Sequence, residues 1–367
     1  MTAIILHPDA TTGDDPLVRA VSDARAALAK RHRTAFLAAG ATDARIVHGP
    51  PDGQSFGARL RSLAAGLSPD EGLVVLGSGA VPLATRRHLV RFVAAAARGE
   101  GGQALANNRF SADIVAIPCA ASTLADLPDL ASDNVLPRWL AETAGLAAED
   151  RADDWRLAMD LDVALDLVVL GGRWTRWLPS GFATRVEDHI EAVRATAADI
   201  RAELTVAGRT SPETISWLRE AVGARVRALI EERGLRTAAA GQRPPASVLG
   251  RLLDEVGPAA LGAELARLGE AAVVDTRVLL AHRHGPDPSR WPSDADRFAS
   301  DLLLHERVAD PWLRALTRSA AEAPIPVLLG AHSLVGPGLR LLLGPKRPGS
   351  ARSDGPAAPG TATLPLA

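Results

Sequence analysis

The sequence is short of several residue types, and each shortage bears on the class of protein. Its single cysteine, Cys119, excludes an intrachain disulfide framework, so we expect a reducing, cytoplasmic setting. Tyrosine is missing, and Lys30 and Lys346 are the only lysines among 41 basic residues. This bias is typical of a GC-rich genome and carries no information about function.

The chain also lacks the charge and the apolar runs that other classes need. Its net charge of −2 gives no general reason to expect binding to nucleic acid or to an anionic membrane. No apolar run reaches about 18 residues without a charge, so we expect no membrane span. The first 15 residues include acids but no Lys or Arg, which argues against a secretory signal. The oligomeric state stays open.

What is present predicts two α/β domains. The chain has 367 residues, of which 47% are apolar, so two domains could each bury a core. Along the first half, short apolar segments alternate with helical ones. The predicted strands are residues 3–6, 44–47, 73–76 and 113–117, and the predicted helices are residues 17–39, 55–65, 85–98 and 136–143. This alternation predicts a mostly parallel, layered α/β domain over residues 1–178.

The second half repeats the alternation on a smaller scale. The predicted strands are residues 204–208, 225–230, 271–280 and 325–329, and the predicted helices are residues 184–201 and 248–268, with a further helix that begins at Ser211-Pro212-Glu213. Gly257 and Pro258 could interrupt the last of these helices. We therefore expect a second, smaller α/β domain over residues 179–344. Residues 345–367 are rich in Pro, Gly, Ser and Ala, which predicts a disordered tail.

One acidic segment stands out within an apolar run. Asp160, Asp162 and Asp166 lie between Leu157 and Leu170. The first two alternate with apolar residues, as at the end of a strand, and the rest reads as the start of a helix. Open α/β sheets bind ligands at such junctions, and two close carboxylates can hold a divalent cation. The alternative for Asp160 and Asp162 is a helix N-terminus stabilised by acids. We expect Asp166 to lie at the surface of the following helix.

The acidic segment resembles a late motif of the MobA-like nucleotidyltransferases, Asp-Ile-Asp-Thr-Pro-x-Asp-Leu. Asp160, Asp162, Asp166 and Leu167 match it. These proteins have the GT-A fold, shared by enzymes that act on nucleoside-diphosphate sugars. The resemblance implies a GT-A-like three-layer α/β/α domain over residues 1–178. It also implies a nucleotide or nucleotide-sugar substrate, Mg²⁺ held by Asp160 or Asp162, and transfer of a nucleotidyl or glycosyl group by those two catalytic residues.

Two further segments match the family in part, and both suggest substrate contacts. Residues 73–83 contain the family's strand and Pro82, with Gly79 and Ala80 where a Mg²⁺-binding Asp is expected. The candidate nucleotide-binding residues are Gly77, Ser78 and Gly79 at this turn, and Asn107, Asn108, Arg109 and Ser111 in the place of the acceptor loop. Glycines at a strand end can equally form a tight turn, and consecutive Asn residues are ordinary turn formers.

The family's Gly-rich phosphate loop has no counterpart after the first strand. Residues 7–16 contain one Gly and three acids, a poor cradle for phosphates. The alternative to an enzyme is therefore a catalytically degenerate GT-A-like domain that binds a small molecule or a partner protein.

The second half offers its own candidates at three predicted strand ends. They are Arg209, Asp275, Arg277, His332 and Ser333. Asp275 and Arg277 could form a buried structural pair. They could instead line a pocket with Arg209, His332 and Ser333. We recognise no family in this half.

Overall fold

The computed structural model describes residues 1–8, 14–49, 54–130, 133–231 and 245–344. The predicted tail at 345–367 lies outside the described residues, and so does most of the loop after the first strand. The chain is α/β, as predicted. No helix in the described ranges has the length and apolar character needed to cross a membrane.

Within the described ranges, the first sheet has six strands in the order β2-β1-β3-β5-β4-β6. They are β1 Thr2–His7, β2 Asp43–His48, β3 Leu73–Gly77, β4 Ala104–Ala106, β5 Ile114–Ile117 and β6 Ala148–Asp150. Strands β1, β2 and β3 run parallel, and β5 is antiparallel to both β3 and β4. The sequence prediction omitted β4 and β6, because three residues are too few to show a strand periodicity.

Helices cover both faces of this sheet. They are α1 Pro16–Ala38, α2 Phe56–Ala65, α3 Arg86–Ala96, α4 Ala120–Thr123 and α5 Leu136–Glu142. One apolar cluster packs α1 and α3 on one face, and a second packs α2, α4 and α5 on the other. Asp15 begins α1 by accepting hydrogen bonds from the backbone N–H groups of Leu17 and Val18. Gly40, at φ +106°, lies just beyond its end, as predicted.

The second sheet has four parallel strands in the described ranges, in the order β10-β9-β7-β8. They are β7 Glu203–Gly208, β8 Arg225–Ile230, β9 Ala271–Asp275 and β10 Val327–Gly330. The accompanying helices are α6 Ala164–Leu170, α7 Thr184–Ala198, α8 Pro212–Ala221, α9 Val248–Val256, α10 Leu261–Ala266, α11 Thr276–His284, α12 Asp294–Asp301, α13 Pro311–Ala321 and α14 Leu339–Leu343. Short 3₁₀ segments occur at Asp133–Val135, Trp155–Ala158, Gly172–Trp177, Pro258–Ala260, Pro288–Arg290 and His305–Arg307, and a π-helical turn at Leu334–Gly338.

The predicted strand over residues 271–280 is wrong in its second half. Strand β9 ends at Asp275, and α11 begins at Thr276 because the Asp275 carboxylate accepts a hydrogen bond from the Arg277 backbone N–H (3.0 Å). An apolar run alone does not distinguish a buried strand from a buried helix. The predicted interruption near Gly257 is confirmed, since α9 ends there at φ +85°.

Helix α1 belongs to the cores of both halves. One side packs on β1 and β2, and another packs on α6 and α12. Its residues Leu17, Val21 and Leu28 join an apolar cluster that includes β7, β9 and β10. The two sheets are thus connected through a continuous buried core.

Gly72, which precedes β3, lies directly against the last residue of α3. A Cβ atom at Gly72 would lie 1.8 Å from the carbonyl oxygen of Ala96, a backbone atom that has little room to move. We expect Gly72→Ala to lower the free energy of unfolding by about 1–3 kcal/mol, measured by urea denaturation. Gly77→Ala, at the other end of β3, is the matched control, because nothing lies within 4 Å of its Cβ position. Equal stability of the two variants would contradict the packing described.

Candidate functional site

The carboxyl ends of β1 and β3 form the first part of the site. The chain leaves these neighbouring strands in opposite directions, a topology at which α/β sheets commonly bind ligands. His7 ends β1, and its Nδ1 lies 2.9 Å from the Oγ of Ser78, which is buried just beyond Gly77 at the end of β3. The His48 ring packs edge-on against His7.

Gly79 allows the acidic segment to approach this strand end. A Cβ atom at Gly79 would lie 2.6 Å from the carbonyl oxygen of Leu161 and 2.7 Å from Nε of Arg25. The Leu161 backbone N–H donates to the Gly79 carbonyl (2.9 Å), and Ala80 pairs with Asp160 in an antiparallel bridge. Gly79 thus lets the protein's own acidic segment approach the strand end, a role that the sequence had not indicated.

Asp160 is held at this bridge with an unsatisfied carboxyl group. The side chain is 4% exposed, and its Oδ1 has no hydrogen-bond partner among the described residues. Burial is the largest cause that raises the pKa of the Asp160 carboxyl well above its ordinary value. Neighbouring carboxylates add to the shift and Arg25 opposes it; the carboxylates are Asp113, Asp162 and Asp166.

Asp162 has a different environment from Asp160. Its Oδ1 accepts a hydrogen bond from Nη2 of Arg25 (2.7 Å), and 43% of its side chain is exposed. Arg25 lies on α1, so this ion pair ties the acidic segment to the first sheet's helix layer. The two predicted catalytic carboxylates lie close in sequence but have different partners.

Asp166 is buried, so the prediction of a surface position is wrong. Its Oδ2 accepts hydrogen bonds from the backbone N–H groups of Asp162 (2.8 Å) and Val163 (2.9 Å), which begins α6. Its Oδ1 accepts a hydrogen bond from Oγ of Ser333, just after β10 (2.6 Å). Burial is the main cause that raises the pKa of the Asp166 carboxyl to about 7. The side chain faces inward because it links the two halves.

The predicted acceptor loop has the hydrogen bonds of a structural turn. The Asn107 amide donates to Asp113 and to the Leu157 carbonyl (both 2.8 Å), and its oxygen accepts from two backbone N–H groups. Asn108 accepts from the backbone of Phe110 and Ser111. The Ser111 hydroxyl donates to Asn134, and the Arg109 guanidinium lies near Glu142 and over the Phe110 ring. These contacts correspond to the turn-forming alternative.

The carboxyl edge of the second sheet brings Arg209 and Asp275 together. Nε of Arg209 donates to Oδ2 of Asp275 (2.8 Å), whose side chain is fully buried. Gly208 has φ +131°, and a Cβ there would lie 2.3 Å from Cβ of Asp275. Burial raises the pKa of Asp275, but the nearby cations Arg209, His332 and Arg277 outweigh it and hold that pKa below its ordinary value.

Arg277 forms the buried pair that one sequence interpretation anticipated, but with a different acid. Both of its terminal nitrogens donate to the carboxylate of Asp301, a residue of α12, and one also donates to Thr276. Burial opposes the charge of Arg277, yet the Asp301 carboxylate raises the pKa of the guanidinium overall. Asp301 was missed because an acid on an amphipathic helix usually faces water.

His332 connects the two sheet edges. Its Nε2 lies 3.8 Å from Oδ2 of Asp160, and it follows β10, whose Gly330 pairs with Asp275 at the end of β9. The side chain is 38% exposed, so the cluster can be reached from solvent. The structure therefore brings Asp160 from the first half together with Arg209, Asp275 and His332 from the second. Neither a scan of protein-family models nor a search of curated proteins finds a match to this chain.

The described residues contain no metal centre built from protein side chains alone. Within the part of the chain that the structure describes, no group of three or more His, Cys, Asp or Glu side chains is arranged to hold a metal ion. A cation at Asp160 would need ligands from elsewhere, such as water or substrate oxygens.

The raised pKa of Asp166 gives a testable pH dependence of stability. Between about pH 4 and 7 the unfolded chain loses this proton while the folded chain keeps it, so stability falls as pH rises and levels off above pH 7. Asn can replace the protonated carboxyl, because its oxygen accepts from the same two backbone N–H groups and its NH2 group donates to Oγ of Ser333. We expect Asp166→Asn to gain up to about 4 kcal/mol relative to the natural protein across this window, by urea denaturation at several pH values.

The matched control is Asp162→Asn, whose carboxylate is half-exposed and paired with Arg25. Its stability difference from the natural protein should show only a small part of the rise between pH 4 and 7, because the Asp162 charge contributes less than burial to the raised pKa of Asp166. A pH-independent difference for Asp166→Asn would contradict the buried, protonated state of this carboxyl.

Proposed function

We propose that the cluster at the facing sheet edges is the site of an enzyme that transfers a nucleotidyl or glycosyl group from a nucleotide or nucleotide sugar, with Mg²⁺. The proposal rests on the environment of the Asp160 carboxyl group. It is buried, one oxygen has no hydrogen-bond partner among the described residues, and other carboxylates surround it. Burying a carboxyl oxygen without a hydrogen-bond partner costs free energy. A ligand that binds this oxygen would offset that cost.

Asp160 could supply one ligand to a cation whose other ligands come from water and from the substrate. Mg²⁺ in proteins commonly keeps several waters and binds one or two carboxylates together with phosphate oxygens. Asp160 can supply one such oxygen, whereas Oδ1 of Asp162 is taken by Arg25. When bound, the cation would offset phosphate charge. The absence of a protein-only metal centre in the described ranges is compatible with this arrangement.

The other residues of the first half have supporting roles in the proposal. Arg25 positions the acidic segment through Asp162, and Gly79 lets that segment approach β3. Ser78 and His7 offer polar atoms at the carboxyl ends of β1 and β3, where a nucleotide would bind. The resemblance to MobA-like proteins supports the same assignment, since its matched residues Asp160, Asp162 and Asp166 all lie at this edge.

A binding module without catalysis is the second candidate, and one observation favours it. Ala80 occupies the place where the family has a metal-binding Asp, and it is buried. Nε2 of His32 lies 2.9 Å from the Ala80 carbonyl, and burial lowers the pKa of His32 to about 4, so a neutral ring holds this turn. The turn therefore supplies no carboxylate at that place.

Thermal-shift measurements with GTP, CTP and UDP-sugars, each with and without Mg²⁺, separate the two candidates. A ligand that binds the native state raises the melting temperature. A Mg²⁺-dependent shift with one nucleotide, followed by turnover, would support the enzyme. A nucleotide shift without Mg²⁺ dependence or turnover would favour the binding module, and no shift with any nucleotide would contradict the nucleotide proposal.

A substitution at Asp160 tests whether its carboxyl group holds the cation. We expect Asp160→Asn to abolish the Mg²⁺-dependent shift and to lower nucleotide turnover by about 100-fold or more, because the anionic oxygen is lost. The melting temperature without ligand should stay the same or rise, since Asn replaces a buried carboxyl group whose ionisation is already disfavoured. Asp162→Asn is the matched comparison and should keep more activity. Full turnover in Asp160→Asn would remove this residue from the mechanism.

A further inference from the structure

We infer that the carboxyl edge of the second sheet carries an oxyanion-binding subsite, formed by Arg209 and Thr210. Its ligand is the phosphate or carboxylate group of a small molecule. That this molecule is the acceptor of the transferred group rests on the proposed function; the oxyanion subsite itself does not.

Two polar groups at the end of β7 lack partners. Nη2 of Arg209 and Oγ1 of Thr210 are both buried, and neither has a hydrogen-bond partner among the described residues. Buried donors of this kind are rare in folded proteins, because each loses its hydrogen bonds to water. Two in adjacent residues indicate a ligand that accepts hydrogen bonds.

The guanidinium of Arg209 is held in a fixed orientation. Its Nε donates to Oδ2 of Asp275 at 2.8 Å, and Asp275 is itself fixed because it begins α11. The planar guanidinium therefore presents Nη2 in a set direction, which suits the paired oxygens of a phosphate or carboxylate. A neutral or cationic ligand would gain less from this group.

The position of the residues agrees with a binding site. Strand β7 lies between β8 and β9, and the chain leaves β7 and β9 toward opposite edges of the sheet. Ligands of open α/β sheets bind outside the carboxyl ends of such strands. Arg209 follows β7 and Asp275 ends β9, so both lie at this point. Gly208, with φ +131°, turns the backbone there and leaves no space for a Cβ atom beside Asp275.

His332 places the subsite next to the proposed reaction centre. It follows β10, whose Gly330 pairs with Asp275, the partner of Arg209, and its Nε2 lies 3.8 Å from Oδ2 of Asp160. A molecule held by its oxyanion at Arg209 could thus extend toward Asp160 along the same cluster. Two substrates, one from each sheet edge, would then meet there.

Isothermal titration of the full chain with inorganic phosphate, acetate and chloride at constant ionic strength tests the subsite. We expect saturable binding of phosphate or acetate but not of chloride, and the tighter of the two identifies the oxyanion class. If phosphate and acetate bind no more strongly than chloride, the proposal is overturned. Water would then be a sufficient hydrogen-bond partner for Nη2 of Arg209 and Oγ1 of Thr210.

Two variants assign the binding to these residues. Thr210→Val keeps the shape and removes a hydroxyl that has no partner, so it should fold normally; Arg209→Lys keeps a cation for Asp275 but loses the planar fork. Each should weaken binding by about 5-fold or more. Arg185→Lys, at an exposed pair with Glu306, is the control and should bind as the natural protein does. Unchanged binding in both test variants would place the oxyanion elsewhere and overturn the assignment.

Asp160→Asn distinguishes this proposal from the transferase. If this variant binds the oxyanion as the natural protein does, and the natural protein shows no nucleotide turnover, the subsite is supported and the transferase activity is contradicted. If turnover is present and Thr210→Val raises the KM for the acceptor alone, both stand.

Discussion

The relation between the two sheets depends on the buried carboxyl group of Asp166. One oxygen holds the first turn of α6 through two backbone N–H groups, and the other accepts the hydroxyl of Ser333 at the end of β10. Because these three hydrogen bonds converge on one side chain, the acidic segment has a fixed position relative to both sheets. The approach of His332 to Asp160 within 3.8 Å follows from that position.

The charges along this edge differ in how well they are matched. Arg277 with Asp301, and Arg209 with Asp275, form close pairs in which the acid is completely buried. Such pairs contribute little net stability, yet losing one partner costs about 3–5 kcal/mol, so they mainly enforce a single arrangement. Asp160 lies in the same surroundings without an equivalent cation. The contrast separates ion pairs that maintain the edge from polar atoms with capacity left for a ligand, among them Oδ1 of Asp160 and Nη2 of Arg209.

Features that depend on local chemistry were predictable from the sequence, and features that depend on distant partners were not. The ends of α1 and α9 follow from Asp15, Gly40 and Gly257, whose effects are confined to one turn. Strand β9 was predicted too long because its apolar run continues into a buried helix. The inward position of Asp166 depends on Ser333, which is remote in the chain, and so had no local signal. The convergence of the polar strand ends followed from the sequence, since parallel strands bring their carboxyl ends to one edge; that this edge is a functional site stays a prediction.

Helix α1 has a consequence for the order in which the chain can fold. One side packs on the first sheet, and another, with Leu17, Val21 and Leu28, packs in the core that contains α6, α12 and the second sheet. A ribosome releases α1 early, while its partner α12 is complete only at Asp301. Domains that fold during synthesis normally do so from the N-terminus as closed units. Here the first half emerges with an apolar helix face whose partners are made later, so its burial of apolar surface is complete only after α12 has left the ribosome.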